Sequence, residues 1–146
     1  MSKSNTFEND ILQLIFNNVD IGLIGDASGL QNSATAGSLY VSLHTADPGE
    51  GGDQTTNEAT FTGYARIAVA RTVGGWTVTG NTATLTALAQ FAECTAGSNT
   101  ITHVGIGTSS TGTGKLLYSG ALTASRSVSA GIQPQFGAGQ LSVVED

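Results

Sequence analysis

From Phe7 to about Asn17 the apolar residues Phe7, Ile11 and Ile15 recur at every fourth position, and Leu12 and Phe16 form a second row beside them. That spacing predicts an amphipathic helix. Asn5 is placed to cap its first turn, with Glu8 three residues on as in a capping box, and Asn17-Asn18 marks its end. With Leu14 and Val19 included, the apolar residues cover more than the stripe of about 100° that packing on one sheet requires. Two arrangements follow. The helix plugs one end of a sheet assembly and is overlaid by the 20–37 segment, or it also docks on another subunit. Residues 19–37 hold glycines at 22, 25, 29 and 37 and are expected to form a loop anchored by Ile21 and Leu23.

After Gly37 the period changes to two. Leu39, Val41 and Leu43 alternate with Tyr40, Ser42 and His44, the pattern of a half-buried strand. Turn residues fill 45–63, notably Asp47-Pro48-Gly49 and Gly51-Gly52-Asp53. Ala65, Ile67 and Val69 give a second strand. A Gly74-Gly75 turn leads to Trp76 and Val78, and Gly80-Asn81 turns the chain back through Ala83 and Leu85. Further strands are expected at 101–107, 115–122, 127–132 and 140–144, with 108–114 a flexible polar loop. No helix falls between strands, so parallel βαβ units are disfavoured. The expected fold is mainly β: an antiparallel β-sandwich, jelly-roll-like, with one N-terminal α-helix. Residues 1–37 form the helix and connecting arm and 38–146 the sandwich, together one compact domain. The expected inward set is Leu39, Val41, Leu43, Ile67, Val69, Trp76, Val78, Leu85, Val104, Ile106, Leu117, Leu141 and Val143, with Leu116 competing with Leu117 for the inward position.

The chain has 146 residues, which is one domain's worth. Its charged share is only 11%, against about 25% for ordinary soluble domains. Hydroxyls, amides and glycine must therefore cover most of the surface. Five basic and eleven acidic residues leave a net charge of −6, which disfavours nucleic-acid binding, since Lys and Arg supply most of that affinity. The single cysteine, Cys94, excludes an internal disulfide framework. The longest apolar run, Ile11 to Phe16, is far short of the ~20 residues of a membrane span. The first residues, Met1-Ser2-Lys3-Ser4-Asn5, lack the pattern of a secretory signal. A soluble protein kept in the cytoplasm until assembly or lysis is expected.

Candidate chemistry is sparse. His44 and His103 are the only imidazoles, both expected as strand-face polar residues with local hydrogen bonds. Zinc would need three or four paired ligands, and no such set exists. Cys94 with His103 as base is weak, because Glu93 raises rather than lowers a neighbouring thiol's pKa. Serine is abundant, but there is no Gly-x-Ser-x-Gly motif. Gly112-Thr113-Gly114-Lys115 fails as a phosphate loop, having Ser109 where the first glycine belongs and Leu116 after the lysine. Asp47, Glu50, Asp53 and Glu58 collect carboxylates of the kind calcium takes, but in no EF-hand order, and a solvated acidic loop is expected. No catalytic residue, metal ligand or cofactor is assigned.

One run of residues carries more. Leu39-Tyr40-Val41-Ser42-Leu43-His44-Thr45-Ala46-Asp47-Pro48-Gly49-Glu50 resembles the opening strand and loop of a family of small structural proteins of tailed bacteriophage virions, whose members are often labelled tail fibre proteins. Thr56-Asn57-Glu58, Gly63-Tyr64-Ala65-Arg66-Ile67-Ala68-Val69, Thr102-His103-Val104-Gly105-Ile106-Gly107, Leu117-Tyr118-Ser119-Gly120-Ala121-Leu122 and Ile132-Gln133-Pro134-Gln135-Phe136 follow in order, and Leu14-Ile15-Phe16-Asn17 is of the same type. Thr62 stands where the family often has an aromatic residue. The resemblance implies a virion component, not an enzyme, assembled in the host cytoplasm. Its first expectation is a decoration or cement protein on the capsid surface, bound to the major capsid protein and to itself as dimer or trimer, without nucleic-acid or membrane partners. Alternatives are a tail or tail-fibre-associated subunit, or a carbohydrate-binding jelly roll with Trp76, Tyr40, Tyr64 and Tyr118 as its aromatic candidates. The expected contact residues are Phe7, Ile11, Leu12, Ile15 and Phe16 on the helix, and Asp47, Pro48 and Glu50 in the loop.

Overall fold

The computed structural model describes residues 2–146, so Met1 of the N-terminal reading lies outside it. The elements run α1 (Asn5–Asn17), β1 (Ser38–His44), β2 (Ile67–Ala70), β3 (Trp76–Thr79), β4 (Thr82–Leu85), β5 (Ala89–Gln90), β6 (Ser98–Gly107), β7 (Leu116–Ser129), β8 (Gln135–Phe136) and β9 (Ser142–Val144). They build a four-stranded sheet in the order β2-β1-β6-β7, a three-stranded sheet β3-β4-β9, and a β5-β8 pair. The β1–β6, β6–β7, β3–β4 and β4–β9 ladders are antiparallel. The protein is thus mainly β with one helix near its N-terminus, as its periodicity predicts.

The chain forms two compact units interleaved along the sequence. The first joins the stretch ending at Ser38 with Ala70–Leu88 and Phe136–Asp146. Here α1 packs on β3 and β4. Leu12 and Phe16 are fully buried, and the Phe16 ring meets Trp76 edge-on at 4.8 Å. The Trp76 indole N–H has no acceptor. That costs about 1–3 kcal/mol, which the buried ring offsets through its contacts.

The helix ends differ in detail from expectation. Ser4, not Asn5, is the N-cap: its backbone is extended and its hydroxyl accepts from the Phe7 N–H. Asn18 closes the C-terminus in the left-handed conformation, its N–H donating to the Gln13 carbonyl. The unpaired carbonyls of the last turn need donors, and Arg71 supplies them. Its Nε donates to Ile15 O and its Nη2 to Leu14 O, each at 2.6 Å, while Nη1 reaches Ala36 O at 3.1 Å. One guanidinium therefore ties the helix end to the connecting arm. The arm is closed by the Ile21–Leu30 bridge. Ile21 is buried, but Leu23 is 90% exposed and is no anchor.

The second unit joins Leu39–Val69 and Ala89–Gln135. Its apolar core includes Val41, Leu43, Phe61, Phe91, Cys94, Ile101, Val104, Ile106 and Val128. Strand β1 is buried on both faces, since Ser42 and His44 are as inaccessible as Val41 and Leu43. Leu117 is exposed and Leu116 half-buried, and Ile67 and Val78 are only half-buried.

The helix orientation makes a direct prediction. Phe16→Ala should cost about 3–5 kcal/mol of unfolding free energy, and Phe7→Ala on the exposed side less than about 1 kcal/mol. Urea denaturation of the two variants measures both, and equal losses would contradict the packing.

Candidate functional site

The chemistry-bearing side chains gather in the second unit. His44 Nδ1 lies 2.8 Å from the Thr56 carbonyl and Nε2 lies 2.8 Å from Ser42 Oγ. A carbonyl only accepts, so Nδ1 carries the proton and the Ser42 hydroxyl donates to Nε2. Nucleophile, base and orienter stand in the order used for covalent catalysis. Neither side chain is accessible, however: Ser42 and His44 are both 0% exposed. Gly105 closes the remaining space, because a Cβ there would lie 2.7 Å from both His44 Nε2 and Ser42 Oγ. The pair acts here as a lock between β1 and the 45–58 loop.

Beside it, Arg66 grips Glu58 with two bonds, Nε to Oε1 at 2.6 Å and Nη2 to Oε2 at 2.8 Å. The same guanidinium donates to Ser109 O at 2.9 Å and Gly112 O at 2.8 Å. The Tyr64 hydroxyl donates to Glu58 Oε1 and accepts from Leu43 N. Gln54, fully buried, accepts from Ser109 N and donates to Ser109 O, while its own N–H bonds Thr113 O. A Cβ at Gly107 or Gly114 would collide with the Gln54 amide. The 108–114 segment, expected to be a flexible loop, is therefore pinned by Gln54 and Arg66.

Electrostatics follow the geometry. Burial holds the His44 pKa below its ordinary value, against the Thr56 carbonyl and Glu58, which favour the charged ring. Burial likewise pushes the Tyr64 hydroxyl up. The Glu58 carboxylate raises the Arg66 guanidinium further, so that it stays charged.

The loop residues expected as contacts separate. Asp47 and Glu50 are exposed, but Pro48 is buried. Asp47 turns its own loop by accepting from Gly49 N at 2.8 Å. Asp47, Gly49, Glu50 and Gly52 form one wall of an open groove of about 630 Å³, and His103 with 116–121 of β7 forms the other. Glu58 is committed to Arg66, and Asp53 accepts from Thr55, so the four carboxylates do not converge. No metal-holding cluster of three His, Cys, Asp or Glu occurs among the described residues. Among the helix residues, Leu12 and Phe16 are consumed in packing, Ile11 and Ile15 are half-buried, and Phe7 is 38% exposed. Cys94 is buried with its thiol directed to the Ala96 carbonyl, and His103 Nδ1 pairs locally with Thr102 Oγ1. No helix among the described residues is long and apolar enough to cross a membrane.

Gln54 and the Arg66–Glu58 pair had no signal in periodicity, because each bonds across long sequence distances. Most of the network nevertheless lies within the segments that carry the family resemblance: Ser42 and His44, Glu58, Tyr64 and Arg66, Gly105 and Gly107.

The family comparison places the chain among phage structural proteins. Residues 2–144 match the family described as podophage GP4 fiber I protein gp80, and the chain belongs to that family. No curated protein matches it.

Two predictions test the network. Arg66→Ala leaves Glu58, whose side chain is only 16% exposed, without its charged partner and should cost up to about 3–5 kcal/mol. Arg66→Lys should recover only part of this, since an ammonium lacks the planar fork that serves Glu58 and two carbonyls together. Urea titrations measure both, and full recovery by lysine would remove the geometric argument. For His44 the lowered native pKa means the unfolded chain binds the extra proton first. Stability contributed by His44 should be complete above about pH 6.5 and be lost as pH falls through the lower native value. His44→Gln should flatten that part of a stability-versus-pH curve.

Proposed function

We propose that this protein is a non-catalytic building block of the phage particle, and that it belongs to the fibre apparatus. The observation that carries this reading is the match of residues 2–144 to a family described as a fibre protein. The geometry supports a contact function. Its buried polar network spends binding groups on rigidity, and a rigid surface loses little conformational entropy when it docks. The Ser42–His44 pair, the arrangement nearest to a catalytic one, is shut inside the unit.

A second reading, decoration of the capsid shell through the major capsid protein, is favoured by the surface chemistry. Only 11% of residues are charged, and the exposed strand positions of β7 are mostly Ser, Thr, Gly and Ala. Such a surface suits many weak, repeated contacts, which a lattice multiplies into avidity. The carbohydrate-binding alternative has weaker support, since Trp76, its largest candidate platform, is fully buried.

Antibody labelling of intact virions and of separated tailless heads, read by electron microscopy, distinguishes these placements. Label confined to fibres is the expected result. Label spread over the heads would overturn the fibre assignment in favour of decoration, and absence from purified particles would overturn both.

A further inference from the structure

The charge inventory isolates one strand. Of five basic residues, Lys3 pairs with Glu145, Arg66 with Glu58, and Arg71 holds the end of α1. The remaining two, Lys115 and Arg126, are exposed, and both lie at or beside β7. β7 is the last strand of its sheet and is exposed along nearly its whole length, with only Val128 buried. A strand in that position presents a row of backbone donors and acceptors that a further strand can use.

The register shows which strand fits. Ile101 faces Arg126 and His103 faces Ala121, so Thr102 alone stands against 122–125. β7 is thus two regular halves, 118–121 and 126–129, separated by a bulge. A straight strand can pair with one half only. A second β7 related by a two-fold axis brings bulge to bulge and each half to the complementary half. In that pairing residue 126 of one copy stands opposite residue 121 of the other, and directly paired residues project to one face. Ala121 lines the groove whose opposite wall carries the exposed Asp47 and Glu50.

We propose that two copies of this chain associate through antiparallel pairing of β7 with β7, 118–121 of each against 126–129 of the other, with Arg126 of each copy set against the Asp47–Glu50 wall of its partner. Arg126, without an ion pair among the described residues of its own copy, answers Asp47 and Glu50, which have none in theirs, and two-fold symmetry forms the contact twice. The pairing does not depend on where in the virion the protein resides.

Sedimentation analysis of the full chain over a concentration series tests this. The wild type is expected to dimerise. Arg126→Glu and Glu50→Lys, both surface changes outside the buried network, should each weaken dimerisation by roughly tenfold or more. The double variant Arg126→Glu/Glu50→Lys should regain most of the loss. Hydrogen exchange should show amides of 118–121 and 126–129 protected in the dimer and released in the single variants. A monomeric wild type overturns the proposal. So does an oligomer indifferent to both charge reversals, or weakening without recovery in the double variant while circular dichroism shows every variant folded.

Discussion

The Arg66 guanidinium meets four acceptors from two separate stretches of chain: the two Glu58 oxygens, and Ser109 O and Gly112 O of the 108–114 segment. A buried ion pair is not by itself a source of net stability, because desolvation consumes much of the Coulombic gain. Its value here is geometric. Once Glu58 is fixed by Arg66 and Tyr64, the loop after β1 has one way to close, and Thr45 N–Asn57 O and Ala59 N–Leu43 O complete the return. The 108–114 segment is then held by carbonyls that only this guanidinium and Gln54 satisfy. An apolar pair of the same volume would fill the space without specifying either loop.

The glycines of β6 belong to the same constraint. His44 and Ser42 take up the face of the sheet above Gly105, and Gln54 takes up that above Gly107. In an ordinary strand glycine is a weakness, since it packs nothing and costs entropy. Here the absent Cβ makes room for three polar side chains, and β1–β6 pairing aligns Ser42 with Gly105 and His44 with His103. The strand forgoes side-chain contacts on one face in exchange for a satisfied hydrogen-bond network, which is the condition for burying polar groups at all.

This also explains what the sequence made legible. The helix, β1, and the β3–β4 hairpin with its Gly80-Asn81 turn are local objects, written in spacing and turn chemistry, and they appear where expected. Reading β1 as half-buried placed His44 on an open polar face, because alternation implies one wet side. In the structure that side is covered by the 45–58 loop, a tertiary fact with no local signal. Leu23 misled for the converse reason. An apolar residue in a loop reads as an anchor, yet here it takes a positive φ of 62° and points to solvent. Asn5 lost the capping position to Ser4, a displacement of one residue that spacing cannot resolve. Of the loop residues expected as contacts, Asp47 and Glu50 stand exposed at the groove, whereas the network behind them left no mark in periodicity. Pro48 beside them is buried, since the turn it builds folds inward.

A protein with so few charges cannot rely on long-range electrostatics, and with a net charge of −6 two copies repel at a distance. Any association must therefore come from short-range complementarity that outweighs this repulsion once contact is made. Three of the five basic residues stabilise the fold, and that commitment leaves the few exposed charges mostly acidic. The exceptions, Lys115 and Arg126, lie at or beside β7, where backbone groups can also pair. Charge scarcity thus leaves the unpaired basic groups of a largely neutral, net acidic surface at one edge. Hydrogen bonds along a strand fix direction and register more sharply than an apolar patch does. The same economy that makes the interior rigid therefore narrows the number of ways in which copies can meet.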